Sequence, residues 1–385
     1  MSRSSRFAQR YSARRMQGAL IGSIALVLAL ALSACGHGGS YLLPTPTVPH
    51  RPPTPTAAPQ PGSAFRYAFA RGDEIWIAQP GGKPQQVSQL PSAGLSISDL
   101  AWAPDSKHLA FERSGAGSPV DYVMDATTGA IIALNVPSTT ASATFGWANN
   151  KTVIVAKQLP GSITQIWKED ITSGASSQVT QISGVSQVEV RGESVYYALL
   201  DSTSNQIMLH RYDLNVQSEG TPVAITPVGT STWSVNWDVA PDGSHIVMGF
   251  NLATADATWA NGFWYISTTD NTDRQQIFSE LALSSFTAND PITLSFSPDG
   301  QTVLLNTNNG VGPASEAIDA SGFQQYMPHV GISSQAVISW APNAASFALS
   351  SGGSSSQATI YTLGSSASGT AFATNANLLQ WAPGS

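Results

Sequence analysis

The chain has 385 residues, 42% of them hydrophobic and 11% charged, with a formal net charge of −7. The apolar share is enough for a core, which excludes a disordered polymer, while the charged share is well below the usual quarter. Residues 1–34 hold five arginines and no acid, so the remainder carries 12 basic against 24 acidic residues; such a surface repels a phosphate backbone and excludes nucleic acid as a partner.

The first element in chain order is an address. "MSRSSRFAQRYSARR" is a basic leader and "MQGALIGSIALVLALALSA" an apolar run, the n-region and h-region of a secretory signal. Leu32, Ser33, Ala34 and Cys35 follow, and "LSAC" resembles the lipobox of bacterial lipoproteins. The resemblance implies that the signal, residues 1–34, is cut before Cys35 and that the Cys35 thiol receives a diacylglycerol. Cys35 is the only cysteine in the chain, so no disulfide competes for it. The alternative is an uncleaved membrane helix, since 19 mostly apolar residues are long enough to span a bilayer.

The second element is a tether, residues 35–63. Eight prolines fall between Pro44 and Pro61. Proline fixes φ and lacks an amide donor, so this stretch forms neither helix nor sheet core. As polyproline II its length reaches roughly 80 Å. His37 and His50 lie in it with no neighbouring ligand and read as solvated tether residues.

From residue 64 to 385 one degenerate repeat recurs. Its clearest copies are "LAWAPDSKHLAFER" (100–113), "WDVAPDGSHIVMGF" (237–250), "LSFSPDGQTVLLNT" (294–307) and "ISWAPNAASFALSS" (338–351), with weaker copies at 145–158 and 188–200 and a last partial one, "LLQWAPGS". Each reads as a hairpin. A short strand ends on a bulky anchor: Trp102, Trp147, Val190, Val239, Phe296, Trp340 or Trp381. In "PDG", proline presets the first turn position, Asp bonds its own backbone and Gly takes the left-handed one. The continuous apolar run after the turn predicts a strand buried on both faces. A second strand pair follows, as in "PVDYVMDATTGAIIALN". Anchors lie 45, 43, 49, 57, 44 and 41 residues apart, so each unit holds about four strands, the spacing of propeller blades. "LLQWAPGS" supplies a first strand alone, whereas residues 65–89 supply a second, third and fourth. The expectation is an all-β, seven-bladed β-propeller of four-stranded blades, its ring closed by the C-terminal strand completing the N-terminal blade. An open stack of the same units is the alternative.

"WAPDSKHLAF", "VAPDGSHIVM" and "FSPDGQTVLL" resemble the repeats of TolB-like β-propellers, bacterial relatives of WD-repeat proteins. The resemblance covers nearly all of residues 64–385. It implies a propeller acting in protein–protein contact at the cell envelope.

Catalytic patterns are not apparent. There is no G-x-S-x-G, no H-E-x-x-H and no cysteine in the repeat region to act as nucleophile. His108, His210, His245 and His329 never pair at ligand spacing; His108 and His245 recur just after the hairpin turn and read as exposed turn residues. No metal or cofactor is expected. "TTDNTDRQ" (268–275) lacks the Gly and distal Glu of a calcium loop and reads as a strand-connecting turn. Trp102, Trp147, Trp340 and Trp381 recur at the anchor and are core, while Trp76, Trp167 and Trp264 fall in third strands and pack between blades. Trp259 differs, because it lies in the longest loop that follows a second strand. By analogy with propellers of this kind, loops after second and fourth strands gather around the central channel on one face. That places Arg113, Asp201, Asn251, Asp256, Trp259, Asn306, Asn308 and Asn309 there as candidate partner contacts.

The expected function is a lipid-anchored, extracytoplasmic binding or scaffold module at the cell membrane, with an envelope protein or glycan as partner. The alternative is a polysaccharide-active lyase or hydrolase, or a glycan-binding propeller. An enzyme needs a cluster of His, Arg or carboxylates around the channel, and the repeat places few there.

Overall fold

The hairpin turns form as their residues dictate. Asp105, Asp242 and Asp299 each accept, through Oδ1, the N–H two residues on, at 2.8, 2.9 and 3.0 Å. Asn149 and Asn343 do the same at 2.9 and 3.0 Å. The next turn residue is left-handed: Gly243 and Gly300 at φ 71° and 69°, Ser106 and Ala344 at 58° and 56°. The two glycines adopt this freely, whereas Ser106 and Ala344 adopt it at a steric cost. The turn is closed by the N–H of that residue to the carbonyl three before it, as from Ser106 to Ala103 at 2.9 Å.

A computed structural model describes residues 65–89, 95–115, 118–137, 143–185, 187–227, 236–250, 262–277, 292–308, 313–319, 337–350, 357–363, 370–374 and 376–383. All belong to one compact unit, Ala57–Ser385. Every regular element among them is a strand. In chain order these are β1 (Tyr67–Arg71), β2 (Glu74–Ala78) and β3 (Gln85–Gln86), then β4 (Ser96–Trp102), β5 (His108–Ser114), β6 (Val120–Asp125) and β7 (Ile131–Ala133). Next come β8 (Ala143–Trp147), β9 (Thr152–Leu159), β10 (Ile163–Asp170) and β11 (Ala175–Ser183), followed by β12 (Val188–Arg191), β13 (Ser194–Asp201), β14 (Gln206–Asp213), β15 (Ser218–Glu219) and β16 (Val223–Ala224). The chain continues with β17 (Asn236–Val239), β18 (His245–Phe250), β19 (Gly262–Ser267) and β20 (Arg274–Ile277), then β21 (Ile292–Phe296), β22 (Thr302–Asn308) and β23 (Pro313–Asp319). The last strands are β24 (Val337–Trp340), β25 (Ser346–Ser350), β26 (Gln357–Thr362), β27 (Thr370–Thr374) and β28 (Asn377–Trp381).

Consecutive strands pair antiparallel into separate meandering sheets: β4–β7, β8–β11, β12–β15 with β16 on β14, β17–β20, β21–β23 and β24–β27. One further sheet has the order β28-β1-β2-β3. The architecture is therefore all-β with four-stranded blades. Seven such blades were expected. Six sheets carry four strands or more, and β21–β23 carries three; residues 320–336, where its fourth strand was expected, lie outside the described residues.

The second strand of each unit is buried on both faces, as its unbroken apolar run requires. Leu109, Ala110 and Phe111 are fully buried, as are Val153–Val155 and Val303–Leu305. Their side chains form clusters between neighbouring sheets. Val153 and Val155 of β9 join Ala110 and Val123, and Trp237 and Ile246 join Tyr196 and Leu209. The sheet containing β28 packs on β4–β7 through Ala68, Ile75 and Leu109, and on β24–β27 through Tyr67, Trp381 and Ala348. The second turns, such as "TTG" and "TSG", put Gly129 and Gly174 at φ 73° and 70°. Residues 268–273, between β19 and β20, form a turn in which Asp270 Oδ1 accepts the Thr272 N–H at 2.8 Å, in line with the strand-connecting reading.

Candidate functional site

The first strands β28, β4, β8, β12, β17, β21 and β24 all border one cavity of about 770 Å³. Side chains alternate along a strand, so every second residue before the anchor faces this cavity. The position one before each anchor is small or polar: Ala101, Gly146, Glu189, Asp238, Ser295, Ser339 and Gln380. All of these but Ser339 line the cavity directly.

Four charged side chains stand in it: Asp99, Glu189, Arg191 and Asp238. Asp99 sits in a break of register between Ser98 and Leu100, at φ 54°. That bulge turns its carboxylate toward the next sheet, where Oδ2 accepts the Phe145 N–H at 2.8 Å. Burial pushes the carboxyl up to about 6, against the pull of the Phe145 and Leu100 amides. Asp238 accepts the Val239 N–H at 2.9 Å and the Phe296 N–H at 2.6 Å. Its Oδ1 also accepts from Arg191 Nη2 at 2.5 Å. Burial raises this carboxyl too, and the Arg191 charge opposes the rise. Arg191 donates further to the Val239 and Val190 carbonyls at 3.0 and 3.1 Å and pairs with Glu189 at 3.2 Å. Gln187 donates to the Trp237 carbonyl at 2.5 Å and to Glu189 at 3.2 Å.

These bonds share a pattern. A polar side chain on the first strand of one sheet accepts a backbone N–H from the first strand of the next. Asp99 takes Phe145, Asp238 takes Phe296, and Ser339 Oγ takes Trp381 at 2.9 Å. The anchor tryptophans tie the strands in the opposite sense. Trp102 donates its indole N–H to the Gln380 carbonyl at 3.1 Å, Trp147 to Ala101 at 2.9 Å and Trp340 to Ser295 at 3.3 Å. Each acceptor is the residue just before the anchor of the preceding sheet.

The seam between β4–β7 and β8–β11 carries buried charge as well. Glu112 is 1% exposed and accepts the Ala143 N–H at 2.8 Å and the Ser98 hydroxyl at 2.7 Å. Asp121 pairs with Lys157 across the seam at 2.6 Å, both side chains buried. Burial raises the Asp121 carboxyl, and Lys157 counters it. Successive strands β4, β5 and β6 thus each extend one carboxylate to the neighbouring sheet.

None of the described residues expected to bind a partner lines the channel. Arg113 was expected on a loop face; it is inside β5, paired across the sheet with Ile97 and Val120, and 4% exposed. Asp201 ends β13, and its carboxylate caps the following turn through the Thr203 and Ser204 N–H groups, both at 3.1 Å. Asn306 and Asn308 are strand residues of β22. Asn251, Asp256, Trp259 and Asn309 lie outside the described residues, as does Cys35. His108 and His245, read from sequence as exposed, are half-buried, and His245 stacks on Tyr265 with centroids 4.3 Å apart. The channel charges were missed. Their signal was an acidic residue one or three positions before the anchor in "DLAW", "VEVR" and "WDVA", where the other copies have uncharged residues.

No family model matches the chain, and no curated protein matches it. Solved structures do. A periplasmic gluconolactonase from Pseudomonas aeruginosa aligns with TM-score 0.55 at 14% identity, over 82% of this chain and 99% of that one. The chain is a β-propeller. An oligogalacturonate lyase solved with manganese aligns with TM-score 0.51 at 11% identity, over 77% of this propeller and 81% of its own chain. TolB from Acinetobacter baumannii aligns over 86% of the propeller chain and 69% of its own, at 15% identity and TM-score 0.47. At these identities the likeness shows the fold alone, and the TolB alignment, below 0.5, adds nothing to it. Among the described residues of the propeller no helix is long and apolar enough to cross a membrane. The apolar run at 16–34 is outside them.

Proposed function

We propose that this propeller is a binding module held at the outer side of a cell membrane by a lipid on Cys35, with residues 1–34 as its signal and 35–63 as its tether. One observation carries the binding reading. The charged groups of the channel are spent on its frame: Asp99 and Asp238 each hold a backbone N–H of the next blade, and Arg191 spans Glu189, Asp238 and two carbonyls. A frame of this kind leaves recognition to the loops at the blade ends, a usual place for binding residues on a rigid scaffold. The ring is a seven-bladed one closed between β28 and β1, a reading supported by their pairing and by the packing of that sheet on both neighbours. The partner is an envelope protein, and the proposed contacts are Asp201 and Asn308, at the ends of β13 and β22, with Asn251, Asp256, Trp259 and Asn309.

Affinity capture of tagged protein from cross-linked envelopes tests this. One or two proteins should come down in near-equal amounts, and the joint substitution of Trp259→Ala and Asn308→Ala should lose them. Unaltered recovery by that variant places the site elsewhere. Separately, Cys35→Ser should abolish labelling by an alkynyl fatty acid and release the protein from the membrane fraction; retained label or retained pelleting removes the lipid anchor from the reading.

A second reading, a polysaccharide-active enzyme, is favoured by the Asp99 carboxyl. A carboxyl held up to about 6 in a channel is the kind of group that serves as a general acid or base. The propeller likeness extends to an oligogalacturonate lyase. Depolymerisation of polygalacturonate that Asp99→Asn abolishes would replace the binding reading with this one.

A further inference from the structure

A second cavity, of about 420 Å³, opens between the turns of β4–β7 and β8–β11, away from the channel. Its walls are partly apolar. Val123 and Ala130 come from one sheet and Ile171 from the next. Ile132, on the short outer strand β7, borders it and is 44% exposed, one of two large apolar side chains so exposed among the described residues. Ile132 belongs to none of the apolar clusters between sheets, and it borders the groove together with Val123, Ala130 and Ile171.

Two carboxylates stand on one polar wall. Asp105 and Asp125 both flank His108: Asp105 Oδ2 lies 3.4 Å from its Nδ1, and Asp125 is its direct cross-strand neighbour. Amides of the following turn, Thr128 before Thr127, hold the Asp125 carboxyl below its ordinary range, so it stays ionised. Lys151 stands on the far wall, where its charge is answered by Asp170. Asp105 and Asp125 thus set two carboxylates above an apolar floor. The hairpin turn does not need the charge of Asp105. Asn149 and Asn343 make the same bond to the amide two residues on, without one.

We propose that this groove binds a peptide segment of a partner protein in which a lysine or arginine adjoins an apolar side chain. The cation sits between Asp105 and Asp125, and the apolar neighbour lies on Ile132, Val123 and Ile171. The inference rests on the reading of the propeller as a protein-binding module, but it uses a surface apart from the residues named there. Loss of captured partner in the Trp259 and Asn308 variant therefore neither supports nor removes it.

The test is fluorescence anisotropy of the full-length protein in mild detergent with three labelled pentapeptides, Gly-Leu-Arg-Leu-Gly and its Gln-centred and Glu-centred versions. The Arg peptide should bind about tenfold or more tightly than the Glu peptide, as two opposed charges at a rim allow. Asp105→Asn with Asp125→Asn keeps both turn bonds and should bring the three affinities together. Ile132→Ser leaves both turns untouched and should weaken the Arg peptide severalfold, which serves as the readout if the double variant is unstable. No binding of the Arg peptide at millimolar concentration, equal binding of all three by the unaltered protein, an Arg preference that survives the loss of both carboxylates, or an Arg peptide unaffected by Ile132→Ser each overturns the proposal.

Discussion

Asp99 shows how one residue can be both a fastener and a burden. Its carboxylate closes the blade seam by accepting the Phe145 amide, yet burial costs the charged form enough to raise its pKa from 3.8 to about 6. A folded state that holds the proton more tightly than the unfolded chain loses stability as pH rises through the range where only the unfolded chain has ionised. Below about pH 4 both states carry the proton and no penalty exists. The penalty grows as pH rises through the window from about 4 to 6 and is complete above it, at about 3 kcal/mol. Asparagine offers a carbonyl to the same amide, tolerates the left-handed φ of 54° at this bulge and does not titrate. Asp99→Asn should therefore flatten the fall in stability. In urea unfolding at pH 4.5 and 7.5, the unaltered protein should lose about 2 kcal/mol more than the variant. Parallel losses would mean that another group titrates there, with Glu112 and Glu189, the two acids that add to the Asp99 shift, the next to replace.

At the scale of the element, the anchor tryptophans separate burial from hydrogen bonding. Trp147 and Trp381 are 6% and 7% exposed, in the same place in their repeats. Trp147 donates to the Ala101 carbonyl at 2.9 Å, whereas the Trp381 indole nitrogen is buried without a partner. Trp147→Phe loses ring area and a bond; Trp381→Phe loses similar area and relieves an unmet donor. Thermal unfolding should show Trp147→Phe the more damaging by about 1–2 kcal/mol, and equal losses would show that the indole bond between blades contributes nothing. The elements themselves were legible in the sequence because a hairpin is a local object. Pro-Asp-Gly sets a turn, an unbroken apolar run sets a strand buried on both faces, and the strands end at the anchors named from sequence or one residue beyond, as at Arg191. The contacts between blades were not legible. Asp99, Glu112 and Asp121 look like ordinary polar residues of three different strands, 9 to 22 positions apart. What makes them one seam is the twist and stagger of neighbouring sheets, which no short pattern carries. Arg113 was misplaced for a related reason: it follows the apolar run, but pairing with β6 continues to Arg113 and buries it.

For the molecule as a whole, the question is whether the last strand is an appendage or a keystone. β28 adds to the edge of β1, pairing Trp381 with Tyr67 and Gln380 with Ala68, and the two aromatic rings meet edge-on at 4.9 Å. It also reaches the other way. The Gln380 carbonyl accepts the Trp102 indole N–H, and the Pro383 carbonyl accepts the Ser106 hydroxyl, both from the sheet β4–β7. Arg66, just before β1, lies over the Trp102 ring at 5.4 Å, and its carbonyl accepts the Ala382 N–H at 2.9 Å. Deleting Asn377–Ser385 removes Leu379, Trp381 and Ala382 from the core and bares the edge of β1. Loss of one buried tryptophan alone costs about 3–5 kcal/mol, against a total stability of about 5–15 kcal/mol for a domain. In a closed ring every blade depends on the seam, so the truncation should abolish the cooperative thermal transition of the entire domain. In an open stack each unit answers only to its neighbours, and the truncation would shed the terminal unit and leave a main transition near its original temperature. A synthetic peptide of residues 377–385 added to the truncated protein gives the converse test: in a ring it restores the single transition, and in a stack it leaves the main transition where it was.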